Sequence, residues 1–118
     1  MNIKAIILPL ASLGMAAAAT ATVRTSVVLD EERMARQEER QVIATPIAGI
    51  ENRFWFNYRT DINEARKELT SDLRRASDTE DLRDAWDEYR HELSHNRGRY
   101  VKEMAKRGYR YGTVTVGS

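Results

Sequence analysis

A pentapeptide with the pattern H-E-x-x-H, at residues 91–95, is the stretch of this sequence best suited to catalysis. On a helix, His91 and His95 would lie one turn apart on the same face, where two imidazoles can bind one zinc ion. Glu92 would then be the base that activates the zinc-bound water for hydrolysis. The pattern therefore predicts, as one candidate function, a zinc-dependent metallohydrolase.

The resemblance to a known class of metal enzyme is short. With Gly98 the pattern extends to H-E-x-x-H-x-x-G, which resembles the start of the metzincin pattern of zincin metallopeptidases and covers residues 91–98 alone. This resemblance implies a zinc cofactor, with His91 and His95 as ligands and Glu92 as catalytic base. The metzincin pattern then needs a third histidine where this sequence has Val101, and the chain has no other histidine to supply it.

The same helix face allows two further interpretations. Asp84, Glu88, His91 and His95 recur at steps of four, three and four residues, so they form one stripe that could chelate Zn²⁺, Cu²⁺ or Ni²⁺. Such stripes usually mark a solvated polar face, and this is the interpretation we prefer. We therefore predict neither a cofactor nor a catalytic residue, and keep zinc on this stripe as the alternative.

Two long amphipathic helices, about residues 50–76 and 78–107, must position these side chains. Apolar residues recur through both segments at steps of three and four, which is the spacing of one helix face. The connection near Ser77 is very short and forces the two helices to be antiparallel neighbours, with Leu69 opposite Ala85. Both histidines then point to solvent. The fold class predicted is all-α, an antiparallel two-helix hairpin.

Local signals set the ends of these helices. Ser77 and Glu80 fit a capping box, in which each side chain accepts from the other residue's backbone amide. Gly108 is placed to end the second helix in a left-handed conformation, just after Lys106 and Arg107.

The remaining segments divide the chain further. Residues 1–21, with Lys4 and an apolar run, predict a signal peptide, and an uncleaved membrane anchor is the alternative. Residues 22–49 predict an extended arm, a weak N-terminal helix from Asp30 with little to bury, and a linker at Pro46. Residues 50–108 form the hairpin, and residues 109–118 alternate as a short β-prone tail. The predicted signal peptide implies a secreted or periplasmic location.

Composition restricts the partners. The formal net charge of the chain is +1, and removal of residues 1–21 takes away Lys4 and leaves basic and acidic residues in equal number. Nucleic-acid binding, which depends on a basic surplus, is not expected. The acids crowd the start of the second long helix and the cations fill its end. We ascribe this to matching of the helix dipole rather than to an anionic-ligand site.

A two-helix hairpin without cysteine buries too little surface to be stable alone, so self-association or a protein partner is expected. One buried seam cannot hide aromatic residues on several sides of a helix, and some must meet another element or another chain. The predicted partner-binding residues are Phe54, Trp55, Phe56, Tyr58, Trp86 and Tyr100. The function predicted is an exported, non-enzymatic interaction or structural protein, acting as an oligomer or as a small subunit of a larger assembly. The alternatives are the zinc hydrolase and a surface metal-binding or chaperone-like helical protein.

Overall fold

The computed structural model describes residues 28–112, and three α-helices make up most of that range. They are α1 (Asp30–Glu39), α2 (Arg53–Arg75) and α3 (Thr79–Ala105), with a 3₁₀ turn at Ile47–Gly49 before α2. No β-strand occurs within residues 28–112, so the all-α prediction is confirmed. The predicted signal peptide and the end of the β-prone tail, residues 113–118, lie outside the described residues.

Capping side chains fix where the long helices begin. The Asn52 side chain accepts from the amides of Phe54 and Trp55, both at 3.1 Å, and starts α2. The capping box predicted at Ser77 and Glu80 is wrong by one residue. Asp78 caps α3 by accepting from the Asp81 amide at 2.8 Å, and the Asp81 carboxylate accepts from the Ser77 amide at 3.1 Å. The shift arises because Asp78 is itself a strong N-cap residue with an acid three positions later.

Helix α3 ends just before Gly108, the glycine expected to terminate it. Gly108 has a φ of 90°, its amide donates to Ala105, and the Tyr109 amide donates to Met104. These are the two hydrogen bonds of a Schellman motif, which needs a left-handed residue that glycine adopts without strain. The predicted role of Gly108 is confirmed. Tyr111 and Gly112 form a turn.

Helices α2 and α3 pack against each other along their length. Asn52, at the start of α2, donates to the Met104 sulfur at the end of α3, and Arg99 donates to Asp61 at 2.7 Å. Nearer the connection, Leu69 and Ala85 border the same small gap between the helices. These contacts support the predicted helical hairpin, since residues early in α2 meet residues late in α3.

Helix α1 packs on α3, which the sequence did not predict. Ala35 is completely buried, because a methyl side chain lets the two backbones approach closely. Glu31 lies 3.9 Å from Arg83 and Glu38 pairs with Arg97, so α1 runs in the same direction as α3. The helix has little to bury, as expected, since Ala35 is its one buried residue. Its docking therefore depends on that small residue and on polar contacts rather than on an apolar stripe.

A partly buried polar contact completes this docking. The Tyr89 hydroxyl donates to Glu39 at 2.6 Å, and Arg36 donates to the same carboxylate at 2.9 Å. Burial and the hydrogen bond to Glu39 raise the pKa of Tyr89 to about 12. Burial alone would raise the pKa of Glu39, but the hydrogen bonds from Tyr89 and Arg36 outweigh it and lower that pKa.

The segment between α1 and α2 covers the aromatic end of the core. The Tyr58 hydroxyl accepts from the Ile43 amide at 2.9 Å, and the Tyr100 hydroxyl accepts from the Ile47 amide at 3.0 Å. The two tyrosine rings stack with centroids 4.8 Å apart. Much of the aromatic cluster therefore meets another element of the same chain. None of the three helices described is both long enough and apolar enough to cross a membrane.

Candidate functional site

The two histidines of the H-E-x-x-H pattern lie exposed on α3. Nδ1 of His91 is 2.9 Å from the carbonyl oxygen of Asp87, which can only accept, so Nδ1 carries the proton and Nε2 is the free ligand atom. Glu92 borders the seam between α2 and α3 instead. The pattern is thus helical, as expected, but its three functional groups do not converge on a cleft.

Carboxylates from both long helices do come together. Within residues 28–112, one group of three possible metal ligands lies close together. It consists of carboxylate oxygens of Glu68, Asp72 and Glu88, all within 4.8 Å of one another. Of the four residues in the predicted metal stripe, this group includes Glu88 but not Asp84, His91 or His95. The sequence could have indicated this carboxylate group. The predicted hairpin places Leu69 opposite Ala85, and Glu68 and Glu88 lie close to these two residues on their helices.

We expect the double substitution His91→Ala/His95→Ala to change the free energy of unfolding by less than about 0.5 kcal/mol, because both side chains are exposed. Urea denaturation with and without a chelator measures this. A zinc-induced rise of several degrees in the Tm of the wild type, absent in the variant, would contradict it and support the metal site.

Within residues 28–112, one side of the α2–α3 pair is covered by another segment and the opposite side is not. On the covered side, Arg59 and Arg66 of α2 border a groove shared with residues 42–44 of the connecting segment. On the other side, a cleft of about 360 Å³ lies between the helices, floored by the rings of Tyr58 and Tyr100. We call this uncovered side the open face; it comprises Phe54, Asn57, Asp61, Glu68, Asp72, Glu88, Asn96, Arg99 and Glu103.

A polar bridge crosses the middle of the open face. One guanidinium nitrogen of Arg99 donates to Asp61 at 2.7 Å and to Asn96 at 2.9 Å. Asn96 is buried, so this bridge holds a polar side chain at the centre of the seam. The polar side chains in the middle of the open face therefore hydrogen-bond to one another. The charged side chains without an oppositely charged partner lie towards its two ends.

At one end of the open face, two guanidinium groups converge on one aromatic ring. Arg53 lies 4.8 Å and Arg107 lies 3.9 Å from the centroid of Phe54. Neither guanidinium has a carboxylate within 4.0 Å among the residues described. A hydrogen bond from Lys106, together with the nearby cationic charges, lowers the pKa of Glu103. We call Arg53, Phe54 and Arg107 the basic end of the open face.

At the other end, two glutamates from different helices face each other. A hydrogen bond and charge repulsion between Glu68 and Glu88 raise the pKa of Glu68. Asp72 is paired with Arg75 at 2.6 Å, whereas Glu68 and Glu88 have no cation within 4.0 Å in the described part of the chain. We call Glu68 and Glu88 the acidic end of the open face.

The raised pKa of Glu68 predicts a pH-dependent effect. Folding favours the protonated acid, so its stabilisation is present below the ordinary pKa of 4.5 and is lost as the pH rises through the folded-state pKa. Glu68→Gln cannot ionise, and we expect it to exceed the wild type in stability at pH 7 by up to about 1 kcal/mol, but not at pH 3. Thermal unfolding of the monomeric chain, in dilute solution at both pH values, measures this. Glu64→Gln, one turn earlier, is the control, and an equal gain from it would contradict the prediction.

The six predicted partner-binding residues occupy different places. Phe54 is half-buried on the open face, and Tyr58 and Tyr100 form the floor of its cleft. The side chains of Trp55 and Trp86 are buried in the core of the chain. Phe56 is 47% exposed, about 200° around α2 from Phe54 at 100° per residue, and therefore points away from the open face.

Comparison with known proteins gives no family for this chain. No protein-family model matches it, and no curated protein or solved structure matches it. Its function is therefore inferred from the residues and geometry described above.

Proposed function

We propose that this chain is an exported, non-enzymatic helical interaction protein that binds a protein surface through its open face. It would act as an oligomer or as a small subunit of a larger assembly, with the helical hairpin as its scaffold. Export rests on the sequence of residues 1–21, which predicts a signal peptide. The binding role rests on the open face.

The main support for the proposal is that the described residues cover only one side of the α2–α3 pair. The segment around Ile43 covers one side of α2, while the opposite side keeps a cleft of about 360 Å³ with the half-buried Phe54 at its edge. Arginine and aromatic side chains are enriched at protein interfaces, and the basic end combines both. Both guanidinium groups lie against the Phe54 ring. Arg107 donates one hydrogen bond to the backbone carbonyl of Glu103 at 2.6 Å, and its other N–H groups can still bind a carboxylate.

A photo-crosslinking amino acid tests this proposal in cells that express the protein. We would place p-benzoylphenylalanine at Asn57, which lies on the open face, and at Asn63, an exposed asparagine on the covered side of the same helix. The proposal predicts one protein product, identified by mass spectrometry, from position 57 and none from position 63. Equal products from both positions, or none from either, would refute it.

A further inference from the structure

The basic and acidic ends of the open face cannot neutralise each other within one chain. Arg107 and Glu88 are separated by 19 positions along α3 and the turn that ends it. At about 1.5 Å per residue this separation approaches 30 Å. The Debye length at physiological ionic strength is about 8 Å, so the two charged ends do not interact appreciably. Within residues 28–112, no carboxylate lies within 4.0 Å of the Arg53 or Arg107 guanidinium, and no cation lies within 4.0 Å of Glu68 or Glu88.

The two ends carry complementary chemical groups. Two guanidinium groups flank Phe54 at one end, and two carboxylates adjoin each other at the other end. Guanidinium groups bind carboxylates through paired hydrogen bonds. The acidic end lies on the open face, and the two arginines of the basic end adjoin that face through Phe54. A surface with opposite charges at its two ends is complementary to a second copy of itself, turned end for end.

We infer that the open face binds the open face of a second copy in antiparallel orientation. Arg53 and Arg107 of each copy would then pair with Glu68 and Glu88 of the other. The contact is isologous, so both sets of ion pairs form at once and the assembly closes as a dimer. Near its twofold axis lie the Asp61 and Arg99 bridges, which are already satisfied within each copy. The four long helices would form an antiparallel bundle. This inference rests on the proposed function and names its partner.

Charge reversal tests the inference directly. The basic-end variant is Arg53→Glu/Arg107→Glu, and the acidic-end variant is Glu68→Lys/Glu88→Lys. Each variant alone places like charges opposite each other in the antiparallel dimer. We expect each to raise the dissociation constant at least about tenfold, as measured by analytical ultracentrifugation in about 0.1 M salt. In about 1 M salt, where the Debye length falls to about 3 Å, the wild type should dissociate as well.

Mixing the two variants distinguishes the inference from a loss of folding. In a one-to-one mixture, the glutamates of the basic-end variant face the lysines of the acidic-end variant, and the native pairs form at the other end. The mixture should therefore return to twice the mass of a single chain. The control Arg40→Glu/Lys67→Glu changes the charge equally at exposed positions away from the open face and should dimerise like the wild type. Circular dichroism would verify that every variant is helical.

Several outcomes would overturn the inference. These are a wild type that is monomeric in about 0.1 M salt, a mixture that stays monomeric, and species larger than a dimer, which would indicate open head-to-tail contacts. The crosslink at position 57 separates this failure from failure of the proposed function. A product containing two copies of this chain supports both. A product with a different protein overturns the dimer and leaves the proposed interaction role intact.

Discussion

Replacing Trp86 with alanine should lower the free energy of unfolding by about 3–5 kcal/mol, because it empties a large aromatic site in the core. Trp86 is 6% exposed and packs edge-on against Tyr89, with ring centroids 6.2 Å apart. The Arg36 guanidinium of α1 also lies 4.6 Å from the tryptophan ring centroid. A small domain is stable by about 5–15 kcal/mol in total, so the loss is a large part of the whole.

The effect should be strongest on α1. This helix is short and has little apolar surface of its own, so its amides should exchange with solvent first in the Trp86→Ala variant. Urea denaturation measures the energy, and hydrogen exchange shows where it is lost. The matched control is Phe56→Ala, which removes an aromatic ring that is 47% exposed and should cost less than about 0.5 kcal/mol. Equal costs for the two variants would contradict the packing described.

The second large effect concerns the two tyrosines that hold the connecting segment. Tyr58→Phe and Tyr100→Phe each keep the stacked ring but remove the hydroxyl that accepts from a buried backbone amide, of Ile43 or of Ile47. An unsatisfied buried amide costs about 1–3 kcal/mol, so each variant should lose that amount. The two rings touch, and the double variant need not equal the sum of the single ones.

Hydrogen exchange separates this mechanism from a general loss of stability. The amide of Ile43 should exchange faster in Tyr58→Phe, and the amide of Ile47 should exchange faster in Tyr100→Phe. Tyr111→Phe is the control, because Tyr111 is 52% exposed. If each amide keeps its wild-type protection in its own variant, the tyrosine hydroxyls do not hold the segment and the prediction fails.

Local sequence signals were sufficient for the long helices. The three- and four-residue spacing of apolar side chains predicted α2 and α3 to within a few residues at each end. Gly108 ends α3 as predicted, because a left-handed residue at that position needs glycine. These features depend on residues within one or two turns of each other, which is the range over which helix periodicity and capping act.

The candidate site was only partly predictable. The hairpin register places Leu69 opposite Ala85 and so brings Glu68 towards Glu88, as the structure has it. The H-E-x-x-H pattern predicted convergent chemistry at residues 91–95, but spacing along one helix fixes only which residues share a face. Whether other elements enclose that face depends on the packing of the whole chain. His91 and His95 remain exposed.

By itself, the sequence determined the helical class and the two long helices of the hairpin. The tertiary structure decided the docking of α1, and with it which side of the α2–α3 pair is left uncovered. That docking depends on contacts such as Glu38 with Arg97 and Tyr89 with Glu39, between residues about fifty or more positions apart. No local period encodes such pairs, because charged and small residues dock wherever complementary groups meet. The open face is therefore a property of the fold, although each of its side chains is visible in the sequence.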